Sequence, residues 1–584
     1  MLEECGIAGW VDFDGDLRGH AAVLRAMTAA LALRGPDGEG VWLTEHAALG
    51  HRRLAVLDPD HGAQPMLALR GGRVRAALTY GGETYNFRRL GLDGRPGTDT
   101  EAVLRAYLRW GEAFTTRLEG MYAFALWDAD RETLLLVRDR LGVKPLYYLP
   151  QPAGVLFASE PKAIAAHPLA RLRVDLDGLR ELLASVRTPG HAVYRDLREV
   201  RPGELVRVDR SGVHTERYWQ PRPAEHRDDH RTTVHSVRTL LAAAVAEQSR
   251  ADVPVCALLS GGLDSTAVAA LAPRPLRTVA LAEPADAAPA AAAAEYLGTE
   301  HEEVAVTPAA LADPVNRAAA LQALELPTGL GAFHTSLYLL MRAVRERSTV
   351  ALTGEAADEL FGGYPWWGAT GTFPWLTAPH AVRADPAGPP TDVLDPDLGR
   401  ALDLDAYRAA AYRDALSEVE RSGDAATDRV REQRHLHLTR LLPILLDRMD
   451  RMSMACGVEA RVPFCDSRLV EYVANIPWPA DGKRLLREAV TADVPPAARD
   501  RVKSPYPAPT GPEYELALRS QLLEILEDST SPVRPLLDVQ RAWHLVVGPI
   551  APPAYDAGRR AVELILGLDH WLRRLPVTLD VKAG

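Results

Sequence analysis

Two patterns of apolar positions divide this chain. Over residues 1–210, apolar runs of strand length alternate with turns that contain glycine or proline. The clearest runs are 76–80, 121–128, 133–139 and 154–159. Helix-like spacing occurs at 21–33 and 101–110. The pattern predicts an α+β layered fold for this half.

Beyond this half the pattern changes. A helical segment at 236–250 is followed by short buried strands at 254–259 and 347–353, with further helical segments between them. This alternation predicts a parallel sheet covered by helices. A polar stretch with prolines follows Trp219 and is typical of a linker. We therefore predict domains at 1–215 and 236–584, joined by a linker at 216–235.

Composition excludes several classes of function. A chain of 584 residues is too long for one core. The net charge of −11, with no basic cluster, argues against nucleic acid. No apolar run approaches the roughly 20 residues that span a membrane, and the first thirty residues lack a signal peptide. Four scattered cysteines indicate neither a disulfide framework nor a metal knuckle, which fits a reduced cytoplasm.

The string SGGLDS at 260–265 follows an apolar strand and precedes a helix. Two glycines let backbone N–H groups turn inward, and the helix points its positive end at the same place, so this element predicts a phosphate site. Asp264 suits a phosphate that carries Mg²⁺. A plain glycine turn is the alternative. The hexapeptide resembles the PP-loop of ATP pyrophosphatases, which split ATP into AMP and pyrophosphate.

A second string, LTGEAADELFGGY at 352–364, resembles the SGEGSDE-type motif of asparagine synthetases. On that match Asp358 joins Asp264 at Mg²⁺, and Glu355 is the acid/base near the acyl carbon. The family's K-x-x-L-R string matches at Lys483, whose charge would stabilise the adenylate and phosphate. The string at 449–473 also matches, without individual roles. The nucleotide-binding residues that the resemblance implies are Leu258, Ser260, Gly261, Gly262, Asp264, Ser265, Val279 and Gly354.

Seven strings in the first half follow CGIAGW in the order found in a glutaminase domain. They are RGPDGEG, HRRLAVLD, QPM, GGETYNF, GTDTE, GMYAFALWD and RDRLGVKPLYY. Together the two halves resemble glutamine-dependent asparagine synthetase. That resemblance implies an N-terminal-nucleophile glutaminase sandwich followed by an α/β PP-loop ATP pyrophosphatase domain.

The resemblance also implies how glutamine is handled. Cys5 is the nucleophile, and a free α-amine on the same residue takes its proton. Arg53 would hold the carboxylate of glutamine, and Glu83 and Asp99 its α-amine. The N–H of Gly82 would form part of the oxyanion hole.

Two departures bear on this half. Four residues precede Cys5, and because Glu-Glu-Cys-Gly resembles the leader junction of some amidophosphoribosyltransferases, we hypothesise that residues 1–4 are removed. The family's Asn-Gly-Glu is here Gly81-Gly82-Glu83. Loss of one oxyanion donor typically costs about 10²–10³ in turnover.

The predicted enzyme uses ATP, Mg²⁺ and glutamine to convert a carboxylate, by default aspartate, into an amide. The segment at 324–338, with its unusual His334, departs from the usual acceptor pattern, so another carboxylate is an alternative. A ring-closing ligase like β-lactam synthetase or lasso-peptide cyclase, or a non-catalytic scaffold, are others. The family also suggests a homodimer.

Overall fold

The structure is a computed structural model that describes most of the chain. The described residues are 3–56, 63–94, 96–222, 224–364, 391–477, 483–502, 506, 511–549, 557–575 and 577–581. Part of the string at 51–58, residues 1 and 2 of the proposed leader, and one residue of the predicted linker lie outside these ranges.

The first half is rich in strands, as the apolar runs predict. Its strands are β1 Glu3–Asp12, β2 Gly38–Leu43, β3 Ala47–Ala55, β4 Met66–Arg70, β5 Arg73–Thr84, β6 Gly120–Asp128, β7 Thr133–Arg138, β8 Tyr147–Gln151, β9 Gly154–Ala158, β10 Arg173–Asp175, β11 Arg198–Glu199, β12 Glu204–Asp209 and β13 Gly212–Arg217. Its helices are α1 Ala21–Ala29, α2 Asp99–Trp110, α3 Pro161–Ala165 and α4 Leu176–Leu183.

The second half alternates helices with short strands. The elements in order are α5 His230–Gln248, β14 Val255–Leu258, α6 Leu263–Leu271, β15 Arg277–Leu281, α7 Ala287–Leu297, β16 Glu300–Val304, α8 Pro308–Ala312, α9 Pro314–Leu324, α10 Gly331–Arg345, β17 Val350–Leu352, α11 Ala357–Phe361, α12 Pro396–Leu402, α13 Leu404–Ser417, α14 Ala425–Leu436, α15 Leu442–Met454, β18 Glu459–Arg461, α16 Ser467–Ala474, α17 Arg484–Ala489, α18 Pro496–Arg499, α19 Pro512–Glu527, α20 Val539–Val547, α21 Ala557–Arg574 and β19 Thr578–Asp580.

The strands of the first half form two antiparallel layers. One contains β2, β3, β1, β9, β8 and β11, and the other contains β4, β5, β6, β7, β12 and β13. The layers join where Glu3 of β1 pairs with Gly82 of β5. Alternation explains the packing: Ile7 and Val11 face the core between the layers, whereas Ala8 and Trp10 face α1. Helices and sheets together form the sandwich that the resemblance implied.

The second half contains a parallel sheet in the order β16-β15-β14-β17-β18. The chain order reverses between β14 and β17, and the crevice at such a point, beyond the carboxyl ends of the strands, is where open α/β sheets bind ligands. The loops 259–262 and 353–356 leave β14 and β17 at this edge. The fold therefore brings together two strings that are separated by about ninety residues.

Buried ion pairs join the halves. Arg34, from the first half, contacts Glu160 at 2.9 Å and Asp450 of α15 at 2.7 Å. Lys144 contacts the same Asp450 at 3.0 Å. The last strand, β19, also pairs in parallel with β10 of the first half. These contacts fix the halves against each other; the exact boundaries 1–215, 216–235 and 236–584 stay predictions.

Candidate active sites

The loop after β14 is organised by its own hydroxyls. The Ser260 N–H donates to Ser265 Oγ at 3.1 Å, and the two hydroxyls lie 3.1 Å apart. Gly261 has a φ of +70°, and a Cβ there would lie 2.4 Å from the Pro289 backbone. Glycine is therefore required at 261 by both conformation and space. The loop leads into α6, whose first turn carries Asp264.

The other predicted nucleotide residues surround this loop. Leu258 pairs with Val279 of the neighbouring strand β15. A Cβ on Gly354 would lie 2.9 Å from the Ser265 nitrogen, so this glycine permits the loop after β17 to pack against the start of α6. The eight predicted positions thus lie around one edge of the sheet.

Lys483 connects the two predicted metal carboxylates. Its Nζ lies 2.5 Å from Asp358 Oδ1 and also bonds Asp264 Oδ2. All three side chains are largely buried. A Cβ on Gly363 would overlap Asp358 Oδ1 and Lys483 Cε, so glycine there leaves room for the pair. The arrangement holds two carboxylates close together by one cation, at the carboxyl edge of the sheet.

Glu355 lies on the loop between β17 and α11, and its N–H donates to Thr353 Oγ1 at 3.4 Å. The next residue, Ala356, is buried with a φ of +75°, a conformation that costs a residue with a Cβ about 1–2 kcal/mol. Burial raises the pKa of nearby Glu359 to about 8, aided by the charge of Asp358. Tyr364 donates a hydrogen bond to Glu359 and stacks on His437. The motif alone did not reveal these supports.

The segment 324–338 borders a cavity of about 250 Å³. His334 lines this cavity, and its Nε2 lies 2.8 Å from Thr328 Oγ1. Burial lowers the pKa of His334 to about 3, with Arg448 adding to the effect. His334 is therefore a buried neutral imidazole, and among the described residues no group of three or more metal-ligating side chains is found around it or elsewhere.

The predicted glutamine residues meet at the other site, in the first half. Cys5 is buried in β1 opposite Arg53 of β3. A Cβ on Gly81 would lie 3.0 Å from the Cys5 carbonyl oxygen, so residue 81 directly adjoins the cysteine. Gly82 has a φ of +123°, and a Cβ there would clash with Met121 O at 2.1 Å. Glu3 and Glu4 continue β1 before Cys5.

Both predicted amine-binding carboxylates are fully buried. Burial raises the pKa of Asp99 to about 7, although its oxygens accept N–H bonds from Thr84 and Thr100. Burial and the charge of Glu459 raise the pKa of Glu83 well above its usual range. Within the described part of the chain, Glu83 Oε2 accepts no hydrogen bond. The site therefore carries acceptor capacity suited to an ammonium group.

Sequence reasoning missed the cation beside Glu83. Arg461 comes from β18 in the second half, and its Nη2 donates to Glu83 Oε1 at 3.0 Å. Neither side chain is exposed. The string at 449–473 contains Arg461, but only the fold shows that it reaches the other half.

A cavity of about 20 Å³ lies between the two halves, and Met121, Val143, Val462 and Cys465 are among its lining residues. Burial raises the pKa of the Cys465 thiol, with smaller contributions from Asp139 and from the synthetase carboxylates Glu359 and Glu355. Residues from both halves therefore line this cavity.

Comparison with known proteins finds a different family model in each half of the chain. Residues 4–219 match the family "Glutamine amidotransferase domain", and residues 236–573 match "Asparagine synthase". The fold and matches define a ligase with a glutamine amidotransferase domain. The chain belongs to the glutamine-hydrolysing asparagine synthetase family.

Three relatives illustrate the spread of this family. Asparagine synthetase [glutamine-hydrolyzing] 3 of Bacillus subtilis is 36% identical, over 91% of this chain and 92% of that protein. A putative asparagine synthetase of Mycobacterium tuberculosis is 29% identical, over 86% and 87%. A protein named Amidase chry2, from Gibberella zeae, is 27% identical, over 86% and 89%.

Among solved structures, the glutamine PRPP amidotransferase of B. subtilis aligns with a TM-score of 0.29 and 18% identity. The alignment covers 51% of this chain and 65% of that one. Within the described residues, no helix is both long and apolar enough to cross a membrane.

Proposed function

We propose that this enzyme forms an amide from a carboxylate through an acyl-adenylate, with aspartate as the default acceptor and glutamine as the nitrogen source. The observation that carries the proposal is the meeting of Asp264, Asp358 and Lys483 at the switch point of the parallel sheet. A strand–loop–helix element with inward N–H groups binds phosphate at this position.

At the synthetase site, ATP would bind over residues 258–265, with Val279 and Gly354 beside it. The acceptor carboxylate attacks the α-phosphate, and pyrophosphate leaves. Lys483 would then stabilise the negative charge that develops on the phosphates. Glu355 would handle protons when ammonia attacks the acyl carbon and AMP departs. Each role is a proposal that rests on position and residue type.

Asp264 and Asp358 fit a magnesium ion. Mg²⁺ binds proteins through one or two carboxylates and completes its shell with substrate phosphates and waters. Two carboxylates held by one lysine beside a phosphate loop meet that need. When bound, the ion would neutralise phosphate charge.

At the glutaminase site, we propose that Cys5 attacks the side-chain carbonyl of glutamine and releases ammonia. Arg53 would bind the carboxylate of glutamine, Glu83 and Asp99 its ammonium, and the Gly82 N–H the oxyanion. This requires removal of residues 1–4, because only a terminal Cys5 has a free amine. N-terminal sequencing of enzyme from its native host tests that step, and retention of residues 1–4 in active enzyme would contradict it.

Ammonia would pass between the sites inside the protein, which protects it from conversion to ammonium. The cavity of about 20 Å³ lined by Met121, Val143 and Val462 supports such a route, because it has room for about one water-sized molecule. We further propose a cytoplasmic location, which suits four cysteines that form no disulfide bond in the described part of the chain. A homodimer stays a suggestion of the family.

A different carboxylate is the second candidate acceptor. The observation in its favour is the 250 Å³ cavity bordered by the unusual segment 324–338. A ring-closing reaction is disfavoured, since the glutamine-binding set Arg53, Glu83 and Asp99 has no use in it.

One experiment separates these candidates. Pyrophosphate release from ATP is measured across a panel of carboxylates, with glutamine or ammonium as nitrogen source. Aspartate should support release and asparagine formation, and failure with aspartate but success with another acid would favour the second candidate.

Glu355→Gln should lower amide formation by about 10²–10⁴-fold while sparing glutamate release. Loss of both activities in a folded variant would contradict two separate sites.

A further inference from the structure

Arg461 is buried where the two halves meet, and each nitrogen of its guanidinium donates a hydrogen bond. Besides Glu83, it bonds Glu459 through Nε and the carbonyls of Gln248 and Arg250 through Nη1, at 2.7 and 2.6 Å. Gln248 ends helix α5, which precedes strand β14 and the phosphate loop. The planar fork of arginine suits this multiple bonding, because its donors have fixed directions.

The backbone of Arg461 contacts the other site. Strand β18 pairs with β17 so that Arg461 lies opposite Leu352. The N–H of Thr353 donates to the Arg461 carbonyl at 2.9 Å. Thr353 in turn receives the N–H of Glu355 on its hydroxyl. A single residue therefore bonds Glu83 through its side chain and the start of the Glu355 loop through its backbone.

The contact between Arg461 and Glu83 affects the ionisation of Glu83, because several carboxylates are buried there together. Glu83, Glu459 and Asp99 are all fully buried, and Arg461 contacts two of them. A buried carboxylate needs a paired cation to stay ionised. Arg461 lowers the pKa of Glu83, against the effect of burial. Displacing Arg461 would thus weaken Glu83 as an acceptor for an ammonium group.

We infer that Arg461 is a positioning residue that couples the two sites, so that the affinity for glutamine depends on the arrangement of the synthetase loop. The inference rests on the proposed role of Glu83 in binding the ammonium of glutamine. Filling the synthetase site shifts the loop at 353–356, β18 moves with it, and the Arg461 side chain changes its hold on Glu83. By reciprocity, bound glutamine favours the same loop arrangement.

The test compares Arg461→Gln and Arg461→Lys with the wild type. The KM for glutamine and the kcat of glutamate release are measured with and without ATP and aspartate, and ammonium-dependent amide formation is measured in parallel. We expect Arg461→Gln to raise the KM for glutamine at least tenfold and to remove its dependence on ATP and aspartate. Ammonium-dependent synthesis should stay within threefold. Arg461→Lys should recover part of the KM, because it keeps the charge.

Arg34→Lys is the matched control. Arg34 is equally buried between the halves, but it contacts Glu160 and Asp450 and not Glu83. This variant should leave the KM for glutamine and its dependence on ATP unchanged. An equal change in Arg34→Lys would overturn the inference, since any loosening of the interface would then suffice.

If Arg461→Gln does not fold, the inference is tested by measuring the effect of Arg461→Lys on the KM for glutamine in two backgrounds, the wild type and Glu83→Gln. The effect of Arg461→Lys on the KM should vanish when Glu83 is already changed. An unchanged KM in Arg461→Lys, with ammonium-dependent synthesis intact, would overturn the inference. A wild type that hydrolyses no glutamine would instead refute the proposed function, so the two failures are distinguishable.

Discussion

The two candidate sites handle charge in opposite ways. The synthetase site balances Asp264 and Asp358 with Lys483, a cation from its own domain. The glutaminase site buries Glu83 and Asp99 completely, and the cation beside Glu83 belongs to the other domain. A site for polyphosphate needs a cation that can turn to an anionic ligand. A site for an amino acid benefits from excess carboxylate, which the ligand's ammonium compensates.

Removal of the cation from the synthetase site should have the largest effect on activity. Lys483→Ala leaves Asp264 and Asp358 facing each other and removes a donor to the phosphates. We expect pyrophosphate release to fall by about 10²–10³-fold, while glutamate release persists. Lys162→Ala is the control, because Lys162 pairs with Glu160 away from the phosphate loop. Equal losses in both variants would contradict the role of Lys483.

A side chain restored at residue 81 tests whether the glutaminase site lacks an oxyanion donor. Because position 81 adjoins Cys5, Gly81→Asn would supply the missing oxyanion donor. We expect the kcat of glutamate release to rise by up to about 10²-fold in enzyme with a terminal Cys5. Gly82→Asn is the control and should lower activity, since a Cβ at 82 meets Met121 O at 2.1 Å. No gain in Gly81→Asn would show that another group already fills that role.

The buried carboxylates also predict a pH dependence that is specific to glutamine. The pKa of Asp99 is raised to about 7, so Asp99 is protonated below neutral pH and must ionise to bind an ammonium. In Cys5→Ala, which binds without reacting, the Kd for glutamine should fall by about tenfold from pH 6 to pH 8. Titration calorimetry measures this. Asp99→Asn should bind more weakly and lose most of the dependence; a flat wild-type profile would contradict the assignment.

The same raised pKa has a consequence for stability. A carboxyl whose folded pKa exceeds its unfolded value of about 3.9 favours the folded state most at low pH. Its contribution is lost as pH rises from about 4 to 7. Because glutamine binds the form of the enzyme in which Asp99 is ionised, it should raise the melting temperature more at pH 8 than at pH 6.

The smallest expected effect concerns the loop of the synthetase site. Ala356 adopts a φ of +75°, so Ala356→Gly should raise the free energy of unfolding by about 1 kcal/mol. Ala357→Gly, at the first residue of α11, should lower it by up to about 1 kcal/mol. Chemical denaturation measures both. Destabilisation by Ala356→Gly would mean that the methyl group packs well enough to offset the strain.

The sequence predicted local structure well where apolar spacing was regular. Residues 121–128 lie in β6, residues 133–138 of the predicted run 133–139 form β7, and most of 236–250 lies in α5. The strand–loop–helix element at 255–271 was also predictable, because a strand, two glycines and a helix are consecutive in the chain. Its hydroxyl bonds between Ser260 and Ser265 span only five residues. Such features need no distant partner.

Distant partners could not be read from the chain. Arg461 and Glu83 are separated by 378 residues, yet they form a buried ion pair. The contacts of Tyr364 with Glu359 and His437 are a similar case, since the ring stack needs His437, which lies about seventy residues further along the chain. The chain contains many other arginines and tyrosines, so only their positions in the fold show that Arg461 and Tyr364 contact the candidate sites.

By itself, the sequence determined which chemical groups each half carries and which family they belong to. Residue type and short-range spacing predict a nucleophile, a phosphate loop and acidic ligands, because these predictions depend on the atoms present and on local backbone geometry. Only the tertiary structure decided how charge is shared between the halves. Burial and pairing depend on long-range packing, which removes Glu83 from water and places a cation from the other domain beside it.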